Sequence, residues 1–126
     1  MIGIYIHIPF CKQKCYYCDF VSYTNKECLI EKYIKSLISE IESFQNDEVV
    51  DTIYIGGGTP SYINEKYIEK VINVIRKKFN VLKDAEITIE INPGTITKEK
   101  LKLYKKVGIN RLSIGMQSVN NNLLKK

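Results

Sequence analysis

Glu86-Ile87-Thr88-Ile89-Glu90-Ile91-Asn92 alternates apolar and polar residues without a break, and Pro93-Gly94 ends the run as a turn. A strand turns successive side chains to opposite faces. Ile87, Ile89 and Ile91 therefore share one face, and Thr88, Glu90 and Asn92 share the other. The apolar face requires a cover of helices. The polar face carries a carboxylate at the strand's carboxyl end, where burial without a donor or cationic partner is costly.

Outward from this run, the same pattern recurs between helical stretches. Ile2 to Ile8 sets Ile2, Ile4, Ile6 and Ile8 against Gly3, Tyr5 and His7, and Pro9 stops it. Thr24-Asn25-Lys26-Glu27 has capping-box form. It predicts a helix with the apolar stripe Ile30, Tyr33, Ile34, Leu37, Ile38, Ile41 and Phe44. A strand follows at about Val49 to Ile55 and runs into Gly56-Gly57-Gly58-Thr59-Pro60. A second helix, from about Asn64 to Phe79, buries Tyr67, Ile68, Val71, Ile72, Ile75 and Phe79. A third runs from a Thr97 cap to Val107, with Gly108 at its C-terminal cap. The last clear strand, Arg111 to Gln117, turns Leu112, Ile114 and Met116 one way and Arg111, Ser113, Gly115 and Gln117 the other. Val119 to Lys126 reads as the start of a fourth helix.

The order is β-α-β-α-β-α-β, which predicts an α/β fold with parallel strands and right-handed crossovers. Parallel strands covered on both faces read as continuous apolar runs, and these do not. One face, carrying Tyr5, His7, Tyr54, Glu90 and Gln117, lines something polar. A closed barrel fills its interior with branched apolar side chains. A polar lining fits a splayed, partial (β/α) barrel with a ligand at the carboxyl ends of its strands.

Composition narrows the classes. The chain has 126 residues, 44% hydrophobic and 26% charged, with a formal charge of +5. The lysines are scattered and form no basic stripe interleaved with aromatics, so no nucleic-acid partner is expected. No apolar run approaches the ~20 residues that span a bilayer, and an integral membrane protein is not expected. Met1 leads directly into the first strand without a cationic leader, and free thiols suit a reducing cytoplasm. Cys28 falls in a helical pattern and is expected to be a small buried hydrophobe.

Cys11-Lys12-Gln13-Lys14-Cys15-Tyr16-Tyr17-Cys18 follows the first strand. Three thiols so close cannot all pair as disulfides, but one loop can wrap a single metal with them. The spacing differs from that of bacterial ferredoxins, and the second cysteine pair of a structural zinc site is missing. A tris-thiolate site with an open position points to chemistry. A zinc knuckle completed by His7, or three unrelated core cysteines, are the plain alternatives. The cysteine run, the glycine loop, Glu90 and Gln117 converge on one rim.

Here the chain resembles a known family. Cys-x3-Cys-x2-Cys with Tyr17 before the last cysteine, followed by Gly56 to Pro60, is similar to the radical S-adenosylmethionine (SAM) superfamily. Four stretches sharpen the likeness: Tyr5-Ile6-His7-Ile8-Pro9-Phe10-Cys11, Gly56 to Pro60, Glu90-Ile91-Asn92-Pro93, and Asn110 to Ser118. Together they resemble the oxygen-independent coproporphyrinogen III oxidase-like group along essentially the whole chain. The resemblance implies a 4Fe–4S cluster on Cys11, Cys15 and Cys18, with its fourth iron chelated by the amino and carboxylate groups of S-adenosylmethionine. It also implies an electron donor such as flavodoxin or ferredoxin, whose electron cleaves the sulfonium to give a 5′-deoxyadenosyl radical. Gly57, Gly58 and Thr59 would contact the methionine part of the cofactor, against a plain reading as a flexible turn. Glu90 and Gln117 would bind the cofactor, against a structural Glu90–Arg111 pair and a capping role. Tyr17 would meet the adenine, and Tyr5 would lie near the cofactor.

Within that group two activities compete. The oxidase decarboxylates propionates of coproporphyrinogen III, and generally has a longer N-terminal segment and a further cysteine shortly after the third. Here the strand starts at once, and Asp19-Phe20 follows Cys18. Both features favour the oxidase-like heme chaperones, with heme or a porphyrin as partner. A non-catalytic zinc or iron–sulfur module is the remaining alternative. The expected domain is 1–126 as the first half of a radical SAM core, truncated, with the last strand an open edge and the porphyrin site beyond Lys126.

Overall fold

The computed structural model describes residues 1–10, 23–44 and 48–114. The described elements are β1 (Ile2–Ile8), α1 (Tyr23–Ser43), β2 (Val49–Gly57), α2 (Glu65–Lys78), β3 (Asn80–Ile91), α3 (Lys98–Lys106) and β4 (Arg111–Ile114), with a 3-10 turn at Pro60–Tyr62. The strands form one sheet in the order β1-β2-β3-β4, every pairing parallel. This is the partial α/β fold that alternation predicts.

The isoleucine rows carry the core. Ile6, Ile8, Ile53, Ile55, Ile87, Ile89 and Ile91 are buried in one cluster with Ile30, Ile34 and Ile41 of α1, Ile68, Val71, Ile72 and Ile75 of α2, and Tyr104 of α3. Each isoleucine so buried contributes about 1.5–3 kcal/mol from the loss of wetted apolar surface. The helix termini follow local chemistry. Asn64 accepts the Lys66 N–H at 2.9 Å and Thr97 accepts the Lys100 N–H at 3.1 Å, each satisfying an amide that the first turn leaves open. α1 begins at Tyr23, ahead of the expected Thr24 cap.

Five expectations change. β3 starts at Asn80 instead of Glu86, because Val49 and Val50 pair with Asn80 and Val81 before a bulge puts Thr52 opposite Glu86. Lys83 and Asp84 fall in that irregularity, so in sequence they read as a break. β2 runs on through Gly56 and Gly57, which pair with His7 and Ile8. Cys28 is exposed, because it sits about 200° around the helix from Ile30 and faces away from the buried stripe. Phe44 lies just past the end of α1, 50% exposed, leaning on Phe79 with ring centroids 6.0 Å apart. Leu112 and Ile114 are 42% and 53% exposed, since β4 is the last strand of the sheet and no helix among the described residues covers its apolar face. Beyond Ile114, the expected continuation of the strand and the fourth helix lie outside the described residues.

Candidate functional site

The polar face of the sheet gathers its side chains at the carboxyl ends of β1, β2 and β3. Tyr5 and Tyr54 are register partners, and their rings stack at 5.9 Å with an interplanar angle of 17°. The Tyr5 hydroxyl and His7 Nδ1 share a hydrogen bond at 3.2 Å. On the other side, Tyr54 pairs with Thr88, so Glu90 lies one same-face position further along β3. The Tyr54 hydroxyl donates to Glu90 Oε2 at 2.7 Å, and the Gly57 N–H donates to Glu90 Oε1 at 3.1 Å. Donation to this carboxylate is the largest cause holding the Tyr54 hydroxyl above the ordinary phenol pKa, and a hydrogen bond with Ser113 pulls the other way.

The glycines make this arrangement possible. A Cβ on Gly56 would come within 3.0 Å of the Glu90 carboxyl carbon and 2.9 Å of the Tyr54 ring. Gly57 has φ +118°, and a Cβ there would meet the Ile8 carbonyl oxygen at 2.6 Å. Beyond the strand, the Gly58 N–H donates to the Ile8 carbonyl at 2.9 Å and the Thr59 N–H to the Phe10 carbonyl at 2.7 Å. The loop is therefore not a loose turn. Its bare backbone is laced to residues 8–10, the stretch that leads into Cys11. From the helix side, the Tyr33 hydroxyl donates to the His7 carbonyl, and its ring meets Phe10 edge-on at 5.5 Å.

The loop's far end is anchored separately. Ser61 is fully buried; its hydroxyl accepts the Asn92 N–H at 3.0 Å and bonds with the Thr95 hydroxyl. Lys100 Nζ donates to the carbonyls of Ser61 and Tyr62. Burial lowers the Lys100 pKa, with nearby Glu65 opposing. The turn after β3 and the glycine loop are thus joined through Ser61, which sequence patterning passes over because a lone serine after proline reads as an ordinary turn residue.

Of the residues singled out from sequence, the structure brings Tyr5, Gly57, Gly58, Thr59 and Glu90 to one rim. Cys11, Cys15, Cys18, Tyr17 and Gln117 lie outside the described residues. Glu90 does not pair with Arg111. Arg111 instead reaches Glu86 at 3.1 Å, four residues back along β3 and therefore on the same face. Among the described residues no cation pairs with Glu90, no group of three His, Cys, Asp or Glu side chains is placed to hold a metal, and no helix is long and apolar enough to cross a membrane.

Comparison with known proteins supplies the frame for this rim. The sequence profile described as "Radical SAM superfamily" matches residues 5–126. The chain belongs to the radical SAM superfamily. Radical SAM proteins as a class use a 4Fe–4S cluster with S-adenosylmethionine. The chain is 48% identical to the heme chaperone HemW of Buchnera aphidicola subsp. Schizaphis graminum, an alignment covering 99% of this chain and 34% of the relative. It is 39% identical to the heme chaperone HemW of Escherichia coli K12, again over 99% of this chain and 34% of the relative. The chain thus spans about a third of the length of these curated relatives. Among solved structures it is similar to coproporphyrinogen III oxidase (HemN) from Escherichia coli, described as a radical SAM enzyme. The TM-score is 0.76 and the identity 34%, over 90% of this chain and 27% of that one.

Tyr54 is the participant that sequence reading underrated. Its place on the polar face follows from strand alternation. Its bond to Glu90 depends on the register of β2 against β3, which the bulge after Val50 sets.

Proposed function

We infer that this chain is the N-terminal part of a radical SAM core that binds a 4Fe–4S cluster through Cys11, Cys15 and Cys18. In this reading S-adenosylmethionine is held by Tyr5, Tyr17, Gly57, Gly58, Thr59, Glu90 and Gln117, and the protein acts in heme metabolism as a heme chaperone. The observation that carries it is the Glu90 carboxylate, half-buried on the polar face, held by two neutral donors and paired with no cation among the described residues. Such a group fits a cationic ligand with an N–H to donate, and S-adenosylmethionine, a sulfonium carrying an amino group, brings both. The donor set agrees: three thiolates suit an iron–sulfur cluster, and Cβ-free backbone lets a ligand lie close.

When bound, the cluster and cofactor supply reductive cleavage of a sulfonium C–S bond, and the protein's part is to bind, orient and exclude water. Gly57, Gly58 and Thr59 spend their N–H groups on Glu90, Ile8 and Phe10. What they present to a ligand is therefore carbonyl oxygens, Cα–H groups and the Thr59 side chain. The hydrogen bonds from this loop to Ile8 and Phe10 support the reading, since they tie the glycine loop to the stretch that leads into Cys11. An electron donor such as flavodoxin or ferredoxin and a cytoplasmic setting accompany this reading.

Anaerobic reconstitution tests it. A brown protein, bleached by dithionite and forming 5′-deoxyadenosine from added S-adenosylmethionine, supports the radical SAM core; a colourless protein holding one zinc refutes it. The similarity to the oxidase structure favours a second reading, oxidative decarboxylation of coproporphyrinogen III. Stable heme uptake without decarboxylation supports the chaperone, and conversion of coproporphyrinogen III supports the oxidase.

A further inference from the structure

We propose that Tyr54 is a positioning residue for cofactor binding: its hydroxyl holds the Glu90 carboxylate in the orientation that accepts an N–H of the S-adenosylmethionine amino group. This rests on the reading of Glu90 as the cofactor-holding carboxylate and adds the side chain that aims it. A strand glutamate has several rotamers, and one backbone donor on one oxygen leaves the carboxylate free to swing about that bond. Here each oxygen has its own donor, Tyr54 on Oε2 at 2.7 Å and Gly57 on Oε1 at 3.1 Å. The two donors come from different positions on β2, so they fix the carboxylate plane as well as its location.

Tyr54 is itself held on its other face. Its ring is stacked on Tyr5, and their strands are paired residue for residue from Gly3 to Ile8. An aromatic lever with few rotatable bonds, stacked on one side and bonded on the other, loses little entropy in making this contact. Both described donors are neutral, whereas a lysine or arginine at position 54 would compete with the cationic ligand. A phenol suits the task because it orients an anion without cancelling it. Protonation of the hydroxyl is secure near neutral pH, since its pKa lies above the ordinary phenol value.

The test compares Tyr54→Phe, which keeps the ring stack and removes the hydroxyl, with Glu90→Gln and wild type. All are reconstituted with iron and sulfide, matched for cluster content and checked by thermal melt. S-Adenosylmethionine affinity is measured by equilibrium dialysis, and the reduced cluster's electron paramagnetic resonance spectrum is recorded with and without the cofactor. Losing one hydrogen bond to a charged group predicts roughly tenfold weaker binding in Tyr54→Phe, with melting temperature and cluster content unchanged. The cofactor-induced spectral shift is then reached only at higher cofactor concentration. Tyr54→Phe binding like wild type while Glu90→Gln binds weakly overturns the role of Tyr54 and leaves the Glu90 reading standing. Wild-type binding in both variants overturns both. A second measurement leaves Tyr54 in place: with 13Cζ-labelled tyrosine, cofactor addition shifts the Tyr54 resonance in wild type and not in Glu90→Gln. An unmoved wild-type resonance overturns the proposal even if Tyr54→Phe fails to fold.

Discussion

Replacing Gly57 by alanine sets the close approach of the glycine loop and β1 against a single methyl group. At φ +118° an L-residue is strained, and the new Cβ would lie 2.6 Å from the Ile8 carbonyl oxygen, 2.9 Å from its nitrogen and 3.0 Å from its carbonyl carbon. All three are backbone atoms of a paired strand, so no side chain can rotate away to make room. The conformational strain is worth about 1–3 kcal/mol, and forcing a methyl into filled space adds about 1–3 kcal/mol. Their sum, about 2–6 kcal/mol, is a large part of a whole domain's stability. Gly58→Ala meets the Phe10 carbonyl at 2.8 Å without a left-handed φ, so it carries only the crowding cost of about 1–3 kcal/mol. Gly94→Ala meets nothing closer than Asn92 Oδ1 at 3.3 Å, and its effect should stay within about 1 kcal/mol. Equilibrium urea denaturation followed by circular dichroism reads the series directly, as a falling midpoint at constant slope. The expected order of damage is Gly57, then Gly58, then Gly94. A Gly57→Ala protein with the wild-type midpoint, or a Gly94→Ala protein equally damaged, would show that the loop is not wedged against β1 as described.

Tyr104 is 1% exposed, and its hydroxyl has no hydrogen-bond partner among the described residues. Tyr104→Phe should therefore stabilise the protein at neutral pH by about 1–3 kcal/mol, read as a higher melting temperature. Burial raises the Tyr104 pKa and the bond to Glu90 raises that of Tyr54. Above pH 10 the unfolded chain sheds phenolic protons that the folded chain retains, so stability should fall as pH rises from 10 through the folded-state values. Tyr104→Phe should lessen that alkaline loss in pH-dependent melts. Thr97→Ala removes the acceptor for the Lys100 N–H and should cost about 1 kcal/mol in urea denaturation, with Thr97→Ser restoring most of it. Glu86→Ala breaks the exposed pair with Arg111, whose side chains are 49% and 60% accessible; a loss well above about 1 kcal/mol would contradict its solvent-screened character.

The isoleucine alternation, with the helical stripes between the strands, determined the element order, the parallel sheet with one apolar and one polar face, and the presence of Tyr5, Tyr54 and Glu90 on the polar face. These follow because the side-chain period of a strand and the stripe of a helix are local properties of the chain. Thr97 as a cap was legible for the same reason. Tertiary structure decided what those local rules do not reach. The bulge between β2 and β3 moved the start of β3 and brought Glu90 under Gly57 and Tyr54, and Arg111 went to Glu86. The glycines, read as freedom for a ligand, turned out also to be the space in which two backbones meet. Ser61 became a buried tie between two turns, and Cys28 faced outward because helical phase, not residue type, sets which side is buried. Pairings of this kind depend on strand register and on contacts between residues far apart in the chain, and those exist only once the sheet has formed.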